Sequence, residues 1–130
     1  MEFFSPPGFT VGKDDVPVVA MGPAEAQCVR FGEFLIEIAR APAGFPPGGD
    51  AAWKGLPDNL CHCAHWGYLM RGRARVRLAA GGEFMIEAGD LYHVPAGHRL
   101  YAVEDFELIE FNPVAAMTGA SIQSFANLAP

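Results

Sequence analysis

"CHCAHWGYLMRGRARVRLAAGGEFMIEAGDLYHVPAGH", residues 61–98, decides the fold. Within it Arg71, Arg73, Arg75 and Arg77 recur at every second position, while Ala74, Val76 and Leu78 take the opposite parity. That period of two belongs to a strand with one wet face, because successive side chains on a strand point to opposite sides of the sheet. Glu83 and Glu87 alternate with Phe84 and Ile86 in the same manner. A three-residue loop at 79–81 then sets Arg77 opposite Glu83 and Arg73 opposite Glu87, pairs that contribute about 0.2–1 kcal/mol each. The arginine stripe is read as a solvated sheet face.

Working outward, "LYHV", "HRLYAV" and "FELIEF" are further short strands, punctuated by Gly89-Asp90, Pro95-Ala96-Gly97 and Glu104-Asp105. Turn signals recurring every ~8–12 residues indicate a β-sandwich or small barrel. Upstream, "VPVVA" (16–20) and "QCVRF" (27–31) read as outer strands. "EFLIEIAR" (33–40) ends at the Pro/Gly cluster "APAGFPPGGD", a loop. In the tail, Ile122, Phe125 and Leu128 are spaced for one short C-terminal helix packing on the sheet.

A chain of 130 residues fits one domain, 1–130, with its core barrel at about 30–112. At 51% hydrophobic and 18% charged it is too apolar for disorder, and 15 Gly with 11 Pro call for turns rather than long helices. The net charge of −6 opposes sequence-independent nucleic-acid binding, where Lys and Arg neutralise phosphates, and opposes anionic membranes as partners. There is no apolar run long enough to span a bilayer, and "MEFFSPPGFTVGKDD" lacks the basic and apolar regions of a signal peptide, so a cytoplasmic protein is expected. Cys28, Cys61 and Cys63 are odd in number, and neighbours on one strand face lie about 6.5–7 Å apart, at the edge of disulfide geometry. Free thiols or metal-bound thiolates are expected.

The segment 61–65 holds two cysteines and two histidines. Cys, His and Trp are poor helix formers, Pro57 precedes and Gly67 follows, so the segment is read as a strand. Parity then sends Cys61, Cys63 and His65 inward and His62 to the surface. Positions 61 and 65 are about 13 Å apart on a straight strand, so one ion reaches both only where the strand bends or bulges. A further ligand must come from elsewhere. His98, directly after the Pro95-Ala96-Gly97 turn, is the leading candidate and His93 the reserve. If Val94 points inward, Tyr92 does too and His93 faces out. Trp66, Tyr68, Tyr92 and Tyr101 are candidate pocket aromatics, against the competing reading that barrel aromatics are core. Glu37 and Glu110 are the acids in apolar strand contexts able to face inward.

At these residues the chain resembles a cupin. Gly89, Pro95, Gly97 and His98 match the second cupin motif, G-x5-P-x-G-x2-H-x3-N, with the histidine two residues early and Ala102 at the Asn position. The first motif, G-x5-H-x-H-x3,4-E-x6-G, fits by spacing when its final glycine is set on Gly72: His65 falls at the Glu position, and Cys61 and Asn59 at the two His positions. The segment is similar to small stand-alone cupins with Cys-x-Cys-x-His-Trp-Gly-Tyr and Pro-x-Gly-His. The resemblance implies an all-β fold, a conical antiparallel β-barrel or double-stranded jelly roll, with the motif residues at one open end around a metal pocket. It also implies the bend that strand geometry demands between Cys61 and His65.

The expectation is a small metal-binding cupin holding a divalent transition metal through His65, His98, Cys61 and Cys63, with a pocket for a small organic molecule near Tyr68, Tyr92 and Tyr101. Two imidazoles with soft thiolate favour Zn²⁺, with Fe, Cu, Ni or Mn as the other metals. An oxygenase- or isomerase-type enzyme is one outcome. A non-catalytic ligand-binding or structural cupin is the alternative, and a pure oligomerisation scaffold a third. Four protein ligands would close the metal's shell, whereas three leave it open. Because cupins often pair through outer strands, a homodimer is expected.

Overall fold

The structure is a computed structural model and describes residues 3–117. Its strands are β1 (Val19–Met21), β2 (Ala24–Phe31), β3 (Phe34–Ala41), β4 (His65–Leu78), β5 (Glu83–Glu87), β6 (Leu91–Val94) and β7 (His98–Pro113). They pair antiparallel in the order β1-β2-β3-β7-β4-β5. Strand β6 joins β4 through His65–Tyr68, on the side that β5 takes further along through Arg73–Arg77. Among the described residues no helix is long and apolar enough to cross a membrane.

One buried cluster draws Ala24 from β2, Ala39 from β3, Leu69 and Val76 from β4, Ile86 from β5, Val94 from β6 and Phe106 and Leu108 from β7. Strands from both ends of the sheet order share this interior, so the sheet curls around it as a barrel does. Full burial of Leu, Val, Ile or Phe is worth about 1.5–3 kcal/mol per side chain, and the inward parity of each strand supplies them in turn. The outward parity of β4 and β5 carries the charges. Arg77 faces Glu83 and Arg73 faces Glu87, the register that the alternation predicts, and the Arg73 Nε donates to Glu87 at 3.1 Å. The Leu78 N–H donates to Gly82 O, which closes the loop at 79–81.

Several expectations need correction. Strand β4 begins at His65, and residues 61–64 lie outside it, with Cys61 forming one isolated bridge to His98. Cys61 donates its N–H to His98 O at 2.8 Å, whereas His65 pairs with Val94 on β6. The chain thus changes partner between these residues, which requires a bend. Glu104 and Asp105 make no turn; "HRLYAV" and "FELIEF" are halves of β7. The pairing of β7 with β4 shifts register between Leu69 and Ala74, where bulges absorb the extra residues. Gly72 sits in this corner at φ +88°, where a Cβ would stand 2.1 Å from the Asp105 carbonyl oxygen. Strand β2 is flanked on both sides, leaving β1 as the edge. Residues 114–117 are helical, while Ile122, Phe125 and Leu128, on which the expected C-terminal helix rests, lie outside the described residues.

Candidate metal centre and pocket

Cys61, His65 and His98 converge. One donor atom from each lies within 4.8 Å of the other two, and Cys61 Sγ is 3.8 Å from His65 Nε2. The two imidazoles meet edge to face with centroids 4.9 Å apart. Tetrahedral bonds of about 2.0–2.3 Å place ligand atoms roughly 3.3–3.8 Å apart, so side-chain rotations of about 1 Å close this group on an ion.

The other ring nitrogens are already engaged. His98 Nδ1 lies 2.8 Å from Pro95 O, within the turn that opens β7. His65 Nδ1 lies 2.7 Å from Asn112 Oδ1 and 3.5 Å from Glu110 Oε1. A carbonyl oxygen only accepts, so Nδ1 donates in both rings and Nε2 is the nitrogen left for a metal. Histidine ligands are usually held through their second nitrogen in this way. The donor set therefore fits a divalent transition metal.

Burial works against charge on the His65 ring, yet the Glu110 carboxylate, the Cys61 sulfur and Asn112 outweigh it and raise its pKa to about 10. The Cys61 thiol is raised by its hydrogen bond to Cys63 and by burial, against the pull of His65 and His98. Cys63 is buried and its thiol donates to Ala116 O at 2.6 Å, so it stands beside the three-donor group rather than in it. His62 and His93 are exposed: His62 Nε2 donates to Pro57 O at 2.7 Å, and His93 stacks on Trp66. Val94 is fully buried, which fixes the parity that turns His93 outward.

The group opens into a cavity of about 170 Å³. Its polar wall is Glu37, Glu110, His65, His98, Cys61 and Cys63; its apolar wall includes Met21, Phe45, Trp53, Leu100, Phe106 and Met117. Phe45 comes from the Pro/Gly loop after β3, and Trp53 from the short 3-10 helix Gly49–Trp53 into which that loop runs. That loop is tied to β7 where Ala102 N–H donates to Phe45 O at 2.8 Å, and where Arg99 and Tyr101 both donate to the Asp50 carboxylate. Sequence reasoning identified the loop but not its role as a wall.

The three tyrosines do not line this cavity. Tyr68 is exposed, Tyr101 packs edge-on against Trp53, and Tyr92 stands one residue behind the wall. Cys28, Glu37, Glu110, Gly67 and Tyr92 form a single cross-strand row over β2, β3, β7, β4 and β6. Gly67 has no side chain, and Tyr92 reaches across it to donate to Glu110 Oε2 at 2.6 Å. A Cβ at Gly67 would lie 2.7 Å from the Tyr92 hydroxyl oxygen. Burial, then Glu110, raises the pKa of Glu37, the one carboxyl of the row that makes no hydrogen bond among the described residues. Burial likewise raises Cys28 and Tyr92, both adjoining these acids. Asn112 went unrecognised in the sequence, although it shares the inward parity of Leu108 and Glu110 and is fully buried.

No protein-family model matches the sequence, and no curated protein matches it. Solved structures do. An RmlC-like cupin from Shewanella frigidimarina NCIMB 400 superposes with a TM-score of 0.57 at 17% identity, over 81% of this chain and 88% of its own. A Neisseria meningitidis protein gives 0.51 at 16% identity, over 68% and 81%. Bacillus subtilis oxalate decarboxylase, an enzyme with Mn(II) centres, gives 0.56 at 19% identity over 79% of this chain. This chain covers only 28% of that enzyme. At these identities the likeness is one of fold, and the fold of this chain is that of the cupin superfamily.

Proposed function

We propose that this protein is a metal-dependent enzyme that binds one divalent transition ion through Cys61, His65 and His98 and acts on a small organic molecule in the adjoining cavity. The observation that carries the reading is the convergence of three donor atoms whose two imidazoles are already held through Nδ1. Two nitrogens and one sulfur favour Zn²⁺, with Fe or Cu next. When bound, the ion supplies Lewis acidity at a coordination position that three protein ligands leave open.

The chain's own residues do the rest. Asn112 and Pro95 O orient the imidazoles. The Phe45 and Trp53 side chains, delivered by the segment after β3, add apolar wall that limits water in the cavity. Glu110 accepts from Tyr92 and lies 3.5 Å from His65, so a carboxylate able to take a proton stands at the edge of the site. This supports proton-transfer chemistry of the isomerase type over oxygenase chemistry. The cavity volume of about 170 Å³ is close to that of engineered apolar cavities of about 150 Å³ that admit benzene. The substrate class is accordingly a molecule of that size.

A second reading rests on Cys63. Its thiol is hydrogen-bonded to Cys61, so a rotation that brings it onto the ion closes a four-ligand shell and makes a structural site. Metal content of protein purified under reducing conditions tests the proposal. One equivalent in the wild type, lost in His65→Ala and His98→Ala, is the expected result; a wild type that carries no metal and takes up none refutes it.

A further inference from the structure

The polar end of the cavity is unbalanced in charge. Glu37 and Glu110 lie directly opposite each other on β3 and β7, and both line the cavity. Side chains so paired have Cβ atoms about 4.5–5.5 Å apart. Glu110 has partners in Tyr92 and His65, but the Glu37 carboxyl makes no hydrogen bond among the described residues. Its row neighbours are Cys28 and Glu110, neither of which brings positive charge. No Lys or Arg is among the described residues that line the cavity. An ionised carboxylate drawn away from bulk water is costly unless paired; the His65 ring offsets Glu110, so two carboxylates face one cationic side chain and the wall calls for a second cation opposite Glu37.

Charge counting agrees. A divalent ion held by the Cys61 thiolate beside two carboxylates leaves one negative charge over. One proton on Glu37 balances it, and so does one ammonium group. We infer that the Glu37–Glu110 end of the cavity recognises the ammonium group of a small amine whose hydrocarbon body lies against the apolar wall of Phe45, Trp53, Leu100 and Phe106. The inference deepens the proposed function by naming its substrate class, and it rests on that reading for the metal's part only. Carboxylate ligands are disfavoured at the same end by like-charge repulsion, so this pocket is unsuited to the oxalate that names several of its structural neighbours.

The test uses three isosteric probes, 3-methylbutylamine, 3-methylbutanol and 3-methylbutanoate, titrated calorimetrically into the full chain at neutral pH. Each titration is run on zinc-loaded and on chelator-treated protein, and zinc stoichiometry is measured separately. The amine is expected to bind at least tenfold more tightly than the alcohol, and the carboxylate most weakly, with and without zinc. Glu37→Gln should cost at least tenfold for the amine and little for the alcohol, with folding checked by circular dichroism. Equal binding of amine and alcohol by the wild type overturns the inference without any variant. So does absence of amine binding, tightest binding of the carboxylate, or amine binding confined to the zinc-loaded form, which would report coordination to the ion. A protein that takes up no zinc but still prefers the amine refutes the metal reading and leaves the recognition of ammonium standing.

Discussion

Gly72→Ala isolates the corner on which the barrel depends. The residue lies at φ +88°, and an added Cβ would stand 2.1 Å from the Asp105 carbonyl oxygen and 2.7 Å from the Phe106 Cα. Both are backbone atoms of β7, which no side-chain rotation can move. Left-handed backbone costs a non-glycine residue about 1–2 kcal/mol. Forcing a methyl into packed structure adds about 1–3 kcal/mol, so the total is roughly 2–5 kcal/mol. For a chain of this size, between the surveyed domain classes, that lowers Tm by about 8–20 °C. Gly89→Ala is the control, because Gly89 has φ +93° but nothing within 4 Å of the added Cβ. It should lose only the conformational share, about 1–2 kcal/mol. Thermal unfolding of both variants, followed by circular dichroism, gives the difference. If Gly72→Ala loses no more than Gly89→Ala, the close approach of β4 to β7 is wrong and the argument for the corner fails with it.

Three other outcomes bear on the site. Asn112→Leu removes the acceptor that holds His65 Nδ1 and should weaken zinc binding about 10–100-fold, measured by competition with a chromogenic chelator. Zinc affinity should rise from pH 6 to pH 9. The metal-free site holds protons on His65, raised to about 10, and on Cys61, also raised, and an ion must expel them. The slope is then about one to two decades per pH unit, and a flat profile would argue against these two ligands. Cys61→Ala should abolish stoichiometric zinc uptake, whereas Cys63→Ala should retain it, since the Cys63 thiol is committed to Ala116 O.

Much of the barrel was legible because a period of two records which face is wet. The Arg71–Arg77 alternation and its Glu83 and Glu87 counterpart fixed the β4–β5 register residue by residue. Turn chemistry located His98, since Pro95-Ala96-Gly97 must end one strand before another begins. Long strands were harder. A bulge keeps a strand going through residues that read as a break, so Glu104-Asp105 divided β7 in the sequence but not in the fold. The convergence of Cys61 with His65 depends on a change of pairing partner from β7 to β6, which no local pattern encodes. Parity marked Glu37 and Glu110 as able to face inward. That Tyr92 serves Glu110 rather than the cavity follows only from the cross-strand row passing over Gly67.

The central claim is a three-ligand metal site with an open position, and zinc-edge X-ray absorption of the zinc-loaded protein tests it most directly. The expected shell is one sulfur at about 2.3 Å and two imidazole nitrogens at about 2.0–2.1 Å, with at least one further light atom from water or substrate. A shell with two sulfurs and two nitrogens, closed by Cys63, would contradict it.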